Sequence, residues 1–97
     1  MKYAFHPDAE AEFFQAIDYY EECEPGLGYD FAVEVHSAIE RTLAFPKAWP
    51  ALTEDVRRSL TRRFPYGILY AEDGETLFIL AIMHLHRDPD YWQHRTK

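Results

Sequence analysis

The stretch Leu77-Phe78-Ile79-Leu80-Ala81-Ile82-Met83 runs through seven apolar residues without a polar one to face water. A run of that length and composition reads as a strand covered on both faces, and so as the centre of a sheet rather than its rim. Immediately before it, Glu72-Asp73-Gly74-Glu75 spells a hairpin turn, and Tyr66 to Ala71 supplies the strand on the other side of that turn. Val56 to Leu60 is rich enough in strand formers to be a third, so short links give an antiparallel meander.

A sheet centre covered on both faces requires a second layer, and the first half of the chain provides it. Tyr3 and Phe5 alternate with Lys2 and Ala4 as a short strand that His6-Pro7 ends. Ala9, Phe13, Ala16, Ile17 and Tyr20 then recur at helical spacing, with acids in the first turn where the helix dipole favours them. Pro25-Gly26-Leu27-Gly28 turns the chain, and Phe31, Val35, Ala38, Ile39 and Leu43 mark a second helix limited by Pro46. So short a connection predicts an antiparallel helical hairpin. From Asp88, the residues through Arg95 read as a short terminal helix against the sheet edge. The predicted fold is a two-layer α+β domain spanning residues 1–97: an N-terminal strand, a helical hairpin packed on a mainly antiparallel sheet with a three-strand meander, and a short C-terminal helix.

Composition agrees with one core. The chain has 97 residues, 47% hydrophobic and 16% aromatic, and a single cysteine, Cys23, that cannot close an intramolecular disulfide. No apolar leader or membrane-length span is evident, which predicts a cytoplasmic protein with no membrane partner. The net charge of −7 argues against indiscriminate nucleic-acid binding, but the charge is unevenly distributed. Up to Phe45 the cations are Lys2 and Arg41 alone, whereas Arg57, Arg58, Arg62 and Arg63 crowd one short stretch without an acid among them.

Candidate chemistry gathers after the apolar run. His84 and His86 are two apart at a strand end, where period-2 geometry puts both on one face, able to act as acid and base. A zinc ion needs further ligands that only His94, Asp88 or Asp90 offer, so the expectation is no metal and no cofactor. His86-Arg87-Asp88 repeats the letters of a kinase catalytic loop, but a Gly-rich loop and its paired lysine are missing. If adjacent strands carry Arg57, Arg58, Arg62 and Arg63 beside His84, His86, Arg87 and Tyr91, guanidinium groups and imidazoles converge at one end of the sheet. That suits a phosphodiester or a carboxylate-rich peptide equally.

The order of these pieces resembles the RelE/ParE toxins of type II toxin–antitoxin systems. The likeness runs through His6-Pro7-x-Ala9-x-x-x-Phe13, Tyr19-Tyr20-Glu21, Gly26-Leu27-Gly28-x-x-Phe31, and Phe45-Pro46-x-x-Trp49-Pro50. It continues through Arg57-Arg58, the stretch Arg63-Phe64-Pro65-Tyr66-Gly67-Ile68-Leu69-Tyr70, and Ile82-Met83-His84-x-x-Arg87-x-Pro89-x-Tyr91-Trp92-x-x-Arg95. The resemblance implies a growth-inhibiting toxin neutralised by a cognate antitoxin. Its targets divide between DNA gyrase and messenger RNA on the ribosome. In a ribonuclease, metal-independent, Arg58, Arg87 and Tyr91 would take the catalytic positions with His84 assisting. Arg57, Arg58, Arg62, Arg63, His86, Arg87 and Trp92 would bind antitoxin or target. Gly67 stands where the ribonucleases usually carry an arginine, and losing one such contact costs about 3 kcal/mol of transition-state stabilisation. That tilts the expectation toward a gyrase inhibitor, with the ribonuclease and a non-toxic antitoxin-binding homologue as alternatives.

Overall fold

The computed structural model describes residues 1–88 and 90–96, leaving Pro89 and Lys97 outside the described residues. The elements follow in the order β1 (Lys2–Phe5), α1 (Pro7–Cys23), α2 (Leu27–Ala44), β2 (Arg57–Leu60), β3 (Tyr66–Asp73) and β4 (Thr76–His84), closing with a 3₁₀ turn at Gln93–Thr96. The sheet order is β1-β4-β3-β2, with β1 parallel to β4 and the other pairs antiparallel. The apolar run is therefore central, as its composition predicts.

Pro7 opens α1 at a position whose N–H has no helical partner, and the His6 Nδ1 accepts the Asp8 N–H at 3.0 Å. At the other end of α1, Glu21 performs a service for its neighbour. Its carboxylate accepts the N–H groups of Gly26 and Gly28, at 3.0 and 3.1 Å, and so caps α2 whose N-cap glycine has no side chain to do it. Gly28 also brings the helices together: a Cβ there would stand 2.6 Å from the Ile17 carbonyl oxygen.

The hairpin covers one face of the sheet. Phe13, Phe31, Val35 and Ile39 pack on Ile68, Tyr70, Leu77, Ile79 and Ile82. Inside this layer Thr42 Oγ1 reaches Ser59 Oγ at 2.9 Å and the Ala38 carbonyl at 2.7 Å, so the buried hydroxyls are satisfied. A smaller second core lies on the opposite face, where Trp92 closes over Val56, Leu69, Leu80 and Met83. The C-terminal segment thus covers a sheet face as well as an edge, and its helical part is one 3₁₀ turn. No helix among the described residues is long and apolar enough to cross a membrane.

Candidate functional site at the end of the central strand

The register of β3 against β4 shifts between Leu69 and Tyr70, and the extra residue lies on β4. Ile79 faces the hairpin, Leu80 and Ala81 both belong to the opposite core, and Ile82 returns to the hairpin side. That bulge decides where His84 goes. It sits on the hairpin side, edge-on to Tyr66 with ring centroids 5.2 Å apart.

The bulge lies where β1 runs out, its last pair being Phe5 with Ile79. Beyond that point the edge of β4 has main-chain groups without a strand to meet, and two side chains replace it. Glu12 Oε1 accepts the Ile82 N–H at 3.1 Å, and Arg95 Nη1 donates to the Leu80 carbonyl at 3.0 Å. The two side chains are 14% and 7% exposed and bond to each other through both carboxylate oxygens. Asp8 lies 3.7 Å from Arg95 Nε.

His84, Tyr66, Tyr19, Gln15, Glu12 and Arg87 line a polar cavity of about 180 Å³ at this end of the strand. His84 Nδ1 accepts the His86 N–H at 3.1 Å, so a neutral His84 carries its proton on Nε2. His86 lies beyond the strand end, in a turn, yet the two rings remain 5.3 Å apart. Arg87 stacks on Tyr91 with its guanidinium carbon 4.1 Å from the ring centre, and Arg95 approaches the same ring at 5.0 Å. Burial raises the pKa of the Tyr91 hydroxyl, and the adjacent Glu12 carboxylate raises it further. Tyr91 is therefore a proton holder at neutral pH and not a base. Among the described residues its hydroxyl has no hydrogen-bond partner of ordinary geometry.

The four arginines of residues 57–63 do not join this cavity, which corrects the expected convergence. Strand alternation sends Arg57 and Arg58 to opposite faces. Arg57 Nη1 donates to the Trp49 carbonyl at 2.6 Å on the hairpin side. Arg58 crosses Gly67 on the other face, its Cδ 2.9 Å from where a Gly67 Cβ would be, and lines a separate cavity with Thr53, Met83 and Trp92. Arg63 approaches Asp30 at 3.6 Å, and the Arg62 N–H donates to Glu34 at 2.7 Å, so both are tied to the start of α2. The space above Gly67 is filled by the stem of Arg58. Trp92, expected at a binding surface, is 2% exposed and serves as a core residue.

His94, considered as a third metal ligand, instead lies 3.9 Å from Asp8. No group of three metal-ligating side chains gathers among the described residues. What sequence reasoning missed is the Glu12–Arg95 pair and the part of Tyr66. Arg95 belongs to the spaced motif at the C-terminus, but nothing local to Glu12 signals a partner 83 residues away.

Comparisons with known proteins follow the same lines. The family model for the ParE toxin of the type II toxin–antitoxin system parDE matches residues 3–89. A solved structure described as a chromosomal ParDE toxin–antitoxin system from P. aeruginosa is similar with a TM-score of 0.66 at 17% identity, covering 89% of this chain and 97% of that one. That likeness shows a shared fold. No curated protein matches the chain.

Proposed function

Because the chain belongs to the ParE toxin family of type II toxin–antitoxin systems, we propose that it inhibits growth in the cytoplasm by binding a protein target, DNA gyrase, and that a cognate antitoxin neutralises it. The observation that carries this reading is the division of the arginines. A nuclease without a metal must surround the scissile phosphate with several cations, since charge on the developing phosphorane is what catalysis has to offset. Here Arg57 and Arg58 take opposite faces, Arg63 approaches Asp30, the Arg62 N–H is bound by Glu34, and the stem of Arg58 occupies the space over Gly67. Arg87 lines the polar cavity, and none of those four arginines joins it there.

One test separates the readings. Purified chain added to gyrase at micromolar concentration should block supercoiling, and induction of the chain in cells should leave messages intact. Untouched gyrase at that concentration would end the proposal.

The ribonuclease reading keeps one observation in its favour: a polar cavity holding a histidine, tyrosines and an arginine. It requires codon-positioned cuts in translated messages that Arg87→Ala abolishes. Harmless overexpression without antitoxin would instead support a homologue that binds its partner and is no longer toxic.

A further inference from the structure

We propose that the outer face of the helical hairpin, an apolar patch of Phe14, Tyr29 and Val33 bordered by acids, docks on a basic surface of the toxin's target. The inference rests on the gyrase reading for the chemistry of the partner, because a protein that handles DNA carries the lysines and arginines that a polyanion requires.

The sheet takes one side of each helix, burying Ala9, Phe13 and Ala16 of α1 and Phe31, Val35 and Ile39 of α2. Two contacts fix how the helices lie against each other: the Phe13 ring is 5.8 Å from His36, and Gly28 packs on the Ile17 carbonyl. Successive helical residues turn by about 100°, so Phe14 is one step round from Phe13 and Val33 two steps round from Phe31, both away from the sheet. Antiparallel helices in that register set Phe14 beside Val33. Tyr29, one turn before Val33, continues the patch along α2. Phe14 is 54%, Val33 46% and Tyr29 72% exposed. Apolar side chains scattered singly over a surface need no explanation, but a contiguous set rimmed by charge marks an association surface.

The rim is acidic. Glu10 precedes Phe14 by four residues and Asp18 follows it by four, so both border the patch along α1, and Glu40 stands two turns beyond Val33 on α2. All three are exposed and have no ion pair among the described residues, whereas Glu12, Asp30 and Glu34 have theirs. From Pro7 to Ala44 Arg41 is the sole lysine or arginine, and it turns to Glu34. The partner that fits such a face presents an apolar hollow with cations around it. Burial at the centre supplies affinity, and the charged rim supplies speed of encounter and choice of partner.

A second copy of this chain fits poorly. Two-fold pairing about Phe14 brings Glu10 of one copy toward Asp18 of the other, like charges with no cation between them. The same acids repel a nucleic acid.

The full chain tests the proposal, induced without antitoxin to read growth and purified to read supercoiling by gyrase. Phe14→Ala and Tyr29→Ala should each raise the concentration that half-inhibits gyrase by roughly tenfold or more and relieve growth inhibition, with circular dichroism and antitoxin binding unchanged. Inhibition by the unaltered chain should weaken as salt rises, and Glu10→Gln combined with Asp18→Asn should flatten that dependence. Full potency in both alanine variants would overturn the proposal, as would a salt dependence that stays as steep in the double variant. Loss of antitoxin binding in the alanine variants would give the face to the antitoxin, and self-association that Phe14→Ala abolishes would give it to a second copy; either result overturns it. An unaltered chain that halts growth but spares gyrase ends the gyrase reading, while growth in the two alanine variants still decides whether this face meets the target.

Discussion

The guanidinium of Arg95 grips both carboxylate oxygens of Glu12, at 2.9 and 3.1 Å, and the pair together stands in for the strand that β4 lacks beyond Ile79. Arg95, in the C-terminal 3₁₀ turn, is thereby tied to the first helix and to the main chain of the central strand at one point.

Removing either partner should cost about 3–5 kcal/mol, because the other charge is then left buried without its bidentate partner. Urea unfolding of Glu12→Gln and Arg95→Met measures it. The double variant should cost less than the two singles added, by more than about 2 kcal/mol. Simple additivity would show that the two side chains act independently.

Gly28→Ala should destabilise by about 1–3 kcal/mol, since the new Cβ meets a backbone oxygen that cannot move aside. Gly26→Ala makes the comparison informative. Nothing lies within 4 Å of its Cβ position, so its cost is the strain of a φ of +91° alone, about 1–2 kcal/mol. Thermal melts that rank Gly26→Ala as the more damaging would contradict the close helix crossing.

Gly67→Ala should cost about 1 kcal/mol by pushing aside the stem of Arg58. In an Arg58→Ala background the same change should be close to neutral. Equal costs in both backgrounds, read by denaturant midpoints, would mean that Arg58 does not lie across Gly67 in solution.

Alkaline pH should destabilise the chain through its buried tyrosines, Tyr66 and Tyr70 among them. Burial raises Tyr66 and Tyr70 from 10.0 to about 12, so each holds its proton longer folded than unfolded. Their contribution is whole below pH 10.0 and declines as pH rises toward about 12, where the unfolded state gains by ionising first. Denaturant unfolding across that range should show stability falling with pH, and Tyr66→Phe should flatten the slope. A slope unchanged in that variant would assign the effect to other groups.

The candidate site was only half legible. His84, Arg87 and Tyr91 were marked by residue type and by position after the apolar run, and the structure keeps them at that strand end. The four arginines looked like one cluster because they are neighbours in sequence. Strand geometry separates Arg57 from Arg58 by a whole sheet, and the link after β2 carries Arg62 and Arg63 to the acids of α2.

By itself the sequence determined the element order, the hairpin and the central place of residues 77–83, because periodicity and turn residues act over a few positions and report local geometry directly. Only the tertiary structure decided which face each cation took, that a bulge on β4 returns His84 to the hairpin side, and that Glu12 and Arg95 meet. Those outcomes depend on where one strand stops against another, an energetic balance between distant segments that no local pattern records.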